Sequence, residues 1–171
     1  MKALVVYESM FGNTEQIARA IAEGLGQSID VQVAEVSKAP PQPAPDLDLI
    51  VAGGPTHAFS MSRTNTRADA IKQGAHEGEP EFGPREWMAA LPSGDHAEKM
   101  ATFDTKIKTM RHLPGSAARG AAKAAGRHGY EAAARAESFF VLDVNGPLLD
   151  GELDRARGWG QKLAASMKAT T

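Results

Sequence analysis

The chain has 171 residues, 42% hydrophobic and 23% charged, the composition of one soluble globular domain with a core large enough to need no disulfide or metal staple. A formal net charge of -2 argues against a nucleic-acid surface, and no apolar run reaches the roughly 18 residues of a membrane span. The absence of cysteine excludes disulfides, thiolate metal sites and cysteine nucleophiles, and it is compatible with the reducing cytoplasm expected here.

Residues 2–7 form a nearly continuous apolar run, as in a parallel strand covered on both faces. The run is too short for a signal peptide and is closed by Glu8. A tight turn follows, then a helix over about residues 14–26 with Ile17, Ala20, Ile21, Gly24 and Leu25 on one face. Asn13 and Gln16 have the spacing of a capping box at its start. Residues 30–36 alternate Val31 and Val33 with polar neighbours, which predicts a strand nearer the sheet edge. Four prolines between Ala39 and Pro45 rule out a regular helix, so this crossover is an extended connector. Residues 47–53 read as a third, buried strand.

Residues 63–73 are compatible with a helix, 74–83 form a Gly/Glu/Pro loop, and Pro84 opens a short helix to about Leu91. Residues 99–103 predict a fourth strand. Ser116 is placed to cap an alanine-rich helix ending near Gly129. Residues 139–142 predict a fifth strand. Asp150 is placed to cap the last helix, with Leu153, Ala156, Gly160, Leu163, Ala164 and Met167 as its apolar stripe. Alternating strands and helices predict a doubly wound α/β domain over residues 1–171, with a parallel sheet covered on both faces.

The loop Ser9-Met10-Phe11-Gly12-Asn13-Thr14 joins a strand to a helix N-terminus, where unpaired N–H groups and the helix dipole favour a phosphate. Ser9, Asn13 and Thr14 add polar side chains, and Gly12 permits close backbone approach. No lysine completes a Walker loop, and Gly12 stands alone where a dinucleotide fingerprint needs three glycines. The string Val5, Val6, Tyr7, Ser9, Gly12, Thr14 and Ala18 resembles the signature of the flavodoxin family: an apolar pair, an aromatic, Ser or Thr, a small residue, Thr, and Ala four positions on. The resemblance implies a five-stranded sheet of order 2-1-3-4-5 and an FMN phosphate held by Ser9 to Thr14. Phe11 stands where many members have threonine. A hydroxyl contact is lost there, while the backbone N–H remains and the ring is free to cover the flavin.

Ligands of open α/β sheets bind beyond the carboxyl ends of the strands, at the switch point of strand order. The loops after the first, third and fourth strands should therefore converge. The third-strand loop offers Pro55, Thr56, His57, Ala58 and Phe59. Thr56 is a candidate for the flavin edge, and Phe59 or His57 for the ring face. Loop packing for Phe59 and a hydrogen-bonded structural role for His57 are the plain alternatives. After the fourth strand, Asp104 and Thr105 are candidates for flavin or ribityl contacts, or for capping the turn. Lys106, Lys108, Arg111 and His112 form a basic cluster that reads first as a solvated loop. Trp87 and Trp159 read as core. The five histidines show no metal-ligand pair, no Gly-x-Ser-x-Gly elbow is present, and Glu77, Glu79 and Glu81 read as an exposed loop.

The resemblance implies an FMN-binding electron carrier working with a redox partner protein or a small-molecule electron acceptor. The flavin would carry the chemistry, so no side chain is required as acid or base. The rival is an NAD(P)H-dependent FMN or quinone reductase of the same fold. The near-neutral charge favours it, as does the lack of a tyrosine over the outer flavin face, since Tyr7 and Tyr130 are the only tyrosines. The lack of a clear nicotinamide site favours the carrier. A flavin-free interaction or sensing module is the third reading.

Overall fold

The computed structural model describes residues 1–169. Its strands are β1 (Lys2–Tyr7), β2 (Asp30–Glu35), β3 (Leu49–His57), β4 (Ser60–Met61), β5 (Lys99–Ile107) and β6 (Glu137–Val141). Its α-helices are α1 (Asn13–Gly26), α2 (Thr64–Lys72), α3 (Pro84–Ala90), α4 (Ala117–His128) and α5 (Glu152–Ala169). The sheet runs β2-β1-β3-β5-β6 with every neighbouring pair parallel. This is the doubly wound order expected, with a two-residue addition: β4 folds back antiparallel on the end of β3.

Side-chain alternation along the central strands divides the core in two. Ala3, Val5, Leu49, Val51 and Phe103 meet Ile17, Ile21, Leu25, Ala156 and Leu163 of α1 and α5. Leu4, Val6, Ile50 and Ala52 meet Trp87, Met88, Ala117 and Ala121 of α3 and α4. Helices α1 and α5 cross in close contact. A Cβ on Gly24 would stand 2.0 Å from Arg157 O, and one on Gly160 2.3 Å from Ile21 O. Residues 36–48 carry no helix, as the prolines require. Val36 and Ala39 fill the space by burying against the second core, and Trp87 Nε1 donates to Pro40 O at 3.1 Å.

Several boundaries differ from the sequence expectation. Strands β3 and β5 run on to His57 and Ile107 because they pair with each other through Pro55 and Thr105, and β5 then pairs with β6 through Ile107 and Val141. Asp104 and Thr105 therefore lie in a strand rather than in a loop. The Asn13–Gln16 capping box is absent: Asn13 is already helical, and Gln16 Nε2 donates to Gly12 O. Helix α5 starts behind Gly151, whose φ is +85°, so Asp150 stands one residue before the cap. Leu153 leaves the apolar stripe and is exposed, while Ala156, Gly160, Leu163, Ala164 and Met167 are buried. Among the described residues no helix is long and apolar enough to cross a membrane.

Candidate functional site

The loop between β1 and α1 is a folded, largely buried turn. Ser9 and Met10 are buried, and Ser9 Oγ accepts a hydrogen bond from Gly12 N at 3.0 Å. Gly12 is the N-cap of α1 with φ +87°, a left-handed conformation that costs a side-chain-bearing residue roughly 1–2 kcal/mol. No side chain caps the helix. Asn13 and Thr14 line a small cleft, so the uncapped N-terminus of α1 borders that cleft directly. The loop is held from above by residues 76 and 77, whose N–H groups both donate to Met10 O at 3.2 Å.

The cleft has two adjoining bays at the carboxyl ends of the central strands. The inner bay, about 70 Å³, is lined by Met10, Phe11, Asn13, Thr14, Pro55, Thr56, His57, Thr105, Ile107, Val141 and Val144. The outer bay, about 300 Å³, shares Thr56, His57, Ile107 and Val144 with it and adds Ala58, Phe59, Lys106, Met110, the α2 residues Thr66, Asp69 and Ala70, and Gln73 just after α2. Thr14 Oγ1 and Thr105 Oγ1 bond across the inner bay at 2.7 Å, tying the first loop to β5. Ala58 and Phe59 form the two-residue loop of the β3–β4 hairpin, with φ of +45° and +63°. That is the type I′ pattern, which normally takes Asn or Gly. The strain falls beside the outer bay, and Phe59 is 47% exposed there.

Asp104 is placed differently from a ligand contact. It is fully buried and lines neither bay. Its Oδ2 accepts from Thr56 Oγ1 at 3.0 Å and from Ala118 N at 2.9 Å, while Thr56 Oγ1 accepts from Ala117 N at 2.8 Å. Asp104 and Thr56 thus satisfy the first turn of α4 together with Ser116, whose Oγ accepts from Arg119 N. The Thr56 hydroxyl proton is committed to Asp104. Lys106 also departs from the solvated basic cluster. It is buried, and its Nζ donates to Leu113 O and Gly115 O at 3.0 Å each, fastening the loop after β5. Lys108, Arg111 and His112 are exposed, as expected.

His57 lines both bays, half-buried. Burial, and then the nearby Arg67 guanidinium, lower its pKa to about 4, so it is a neutral donor and acceptor at neutral pH. The contributions of α2 and of Val141 and Val144 were not legible in the sequence. The one signal for them was topological: β6 lies next to β5, so the loop after it also opens at the carboxyl ends.

These donors fit a phosphorylated, flat ligand. An uncapped helix N-terminus and hydroxyls border the narrow bay, while aliphatic groups, one phenyl and a neutral imidazole border the wide one, with Thr66, Asp69, Gln73 and Lys106 as its polar margin.

Fold and cleft together define a doubly wound α/β protein with an opening at the switch point between β1 and β3. The family model for flavodoxin matches residues 5–140, and the chain belongs to the flavodoxin family. Among solved structures, a flavodoxin from the domain Archaea is similar with a TM-score of 0.65 and 21% identity, over 98% of this chain and 99% of that one. Oxidised flavodoxin 1 from Bacillus cereus gives a TM-score of 0.61 and 15% identity, over 100% and 99%. A flavone reductase gives 0.61 and 14%, with 99% of this chain covering 64% of that one. At these identities the likeness concerns the fold. A comparison with curated proteins finds no match.

Proposed function

We propose that the protein binds FMN and passes electrons between redox partners in the cytoplasm. The observation that carries this reading is the continuity of the two bays: a narrow one against the uncapped N-terminus of α1, opening into a wide one edged by His57 and Phe59. Membership of the flavodoxin family supports flavin as the ligand. Bound FMN would supply reversible electron transfer at its ring. Asn13, Thr14 and the unpaired N–H groups at the N-terminus of α1 would hold the phosphate, Ser9, buried and lining neither bay, would brace the turn through Gly12 N, Phe11 would border the ribityl chain, and Thr105 would position Thr14. Pro55, His57, Ala58 and Phe59 would border the ring, and Thr56 and Asp104 would stiffen that loop from below.

A second reading has its own observation. Neither tyrosine nor tryptophan lines the outer bay, so the outer ring face is left open to a nicotinamide or quinone. That favours an NAD(P)H-dependent reductase on the same site.

The visible spectrum of the purified protein tests both. Flavin bands, with FMN released on denaturation, are expected. Apoprotein that takes up no FMN at micromolar concentration contradicts both. Oxidation of NAD(P)H with a quinone acceptor separates reductase from carrier, and no turnover leaves the carrier alone. Changing Ser9 and Thr14 together to Ala should weaken FMN far more than riboflavin. Equal loss for the two ligands contradicts the phosphate role.

A further inference from the structure

A cluster of buried charges beside the phosphate loop has no part in the contacts described so far. Glu8, the residue before Ser9, and Arg67 of α2 are both fully buried. Glu8 Oε1 accepts from Ser62 Oγ at 2.9 Å and lies 3.8 Å from Arg67 Nη1. Arg67 Nη1 donates to the same Ser62 Oγ at 2.9 Å, Nη2 lies 3.1 Å from Glu86 Oε2, and Nε donates to Pro80 O at 2.9 Å. From α3, Arg85 donates to the carbonyls of Met61 and Ser62, on the far side of that serine. Glu35 at the end of β2 faces Glu8 with a further negative charge.

Glu8 Oε2 is buried with no hydrogen-bond partner. One guanidinium therefore serves two carboxylates, and half of the Glu8 carboxylate is unsupported. Such a group holds its negative charge poorly. Burial raises its pKa to about 7, against the opposing effects of Ser62 and Arg67.

The cluster reaches the phosphate loop from two sides. Glu8 continues directly into Ser9. The 74–83 segment, fixed at Pro80 by Arg67, lies on the loop through the N–H groups of residues 76 and 77 at Met10 O.

We propose that Glu8 is the proton-linked group of the cofactor site: a phosphate dianion bound by residues 9–14 draws a proton from solvent onto Glu8, so FMN affinity falls as the pH rises through neutrality. This rests on the FMN reading above. Two like charges that share a low dielectric disfavour each other's ionised form, and linkage makes the effect reciprocal. The other titratable groups near the loop are Glu77, whose Oε1 stands 3.6 Å from where a Cβ on Gly12 would lie, His76, 3.7 Å from that same oxygen, Glu15 in the first turn of α1, paired with Arg19, and His57, which stays neutral over this range. Glu77 and His76 are therefore the rivals for the proton.

Titration calorimetry of FMN into apoprotein, in two buffers of different ionisation enthalpy, counts the protons. At about pH 8 the FMN phosphate is already a dianion, so uptake comes from the protein. Uptake is expected with FMN and none with riboflavin. Glu8→Gln, which keeps an acceptor for Ser62, should abolish the uptake and tighten FMN about tenfold at alkaline pH, with affinity near pH 6 unchanged. His76→Gln and Glu77→Gln should each retain the uptake. Binding without uptake, uptake that survives in E8Q, or uptake lost in H76Q or E77Q overturns the proposal. If E8Q does not fold, the wild-type comparison of FMN with riboflavin and the H76Q and E77Q variants decide it. No FMN binding at any pH overturns the cofactor reading and this inference together, whereas binding with no proton exchange overturns this inference alone.

Discussion

Burial moves Glu8 and His57 in opposite directions, and the two shifts hide one another. Glu8 rises from 4.5 to about 7, so between those values the folded chain holds a proton that the unfolded chain has released. Stability must then fall as the pH rises through that window, by about 3 kcal/mol in all. His57 drops from 6.5 to about 4, so the folded chain lacks a proton that the unfolded chain takes up. Its effect has the other sign: stability falls as the pH drops through that window. Where the windows overlap, the slopes cancel. Urea unfolding of apoprotein across this range should show little pH dependence from the pair. Glu8→Gln should leave stability rising with pH, and His57→Gln should leave it falling. Variants with identical profiles would contradict both assignments. At this scale Ser9, Gly12 and Thr14 were legible, because residue type and spacing alone specify a tight turn into a helix. Asp104 and Lys106 were not. Their roles depend on the α4 N-terminus and the 113–115 carbonyls, which the chain brings to them only after folding.

The contact between α1 and α5 depends on two glycines that a hydrophobicity pattern cannot distinguish from small filler. Gly24→Ala would drive a methyl to 2.0 Å from a backbone oxygen of α5, which cannot rotate away as a side chain would. A loss of about 3 kcal/mol in urea unfolding is expected, at the upper end of overpacking costs. A loss under about 1 kcal/mol would mean that the helices shift freely. The β3–β4 hairpin gives the opposite expectation. Ala58 holds φ +45°, a conformation glycine adopts without strain, so Ala58→Gly should raise stability by about 1 kcal/mol. A destabilised variant would show that the turn is not strained. Element type and order were legible here because strands and helices have different apolar periods. The hairpin was not, since Ala-Phe carries no turn signal. The added lengths of β3 and β5 come from their mutual register, a non-local property.

For the whole molecule, the two-bay cleft is assembled from segments far apart in sequence: residues 10–14, 55–59, 66–73, 105–110 and 141–144. They meet because a parallel sheet sends every strand's carboxyl end to one edge, and because the order reverses between β1 and β3. A ligand that bridges those segments must stabilise the folded chain as a unit, since unfolding any contributing loop releases it. By linkage, FMN at a hundred times its Kd should add about 2.7 kcal/mol. For a chain of this length that corresponds to a rise in Tm of roughly 5–10 °C. The rise should continue with FMN concentration. Riboflavin, which lacks the phosphate, should give a smaller rise, and the Ser9→Ala, Thr14→Ala double variant should bring the FMN response down to the riboflavin level. Thermal melts of apoprotein against graded FMN and riboflavin measure this directly. A Tm that does not move with FMN would mean that the two bays do not act as one site, whatever the resemblance of the first loop.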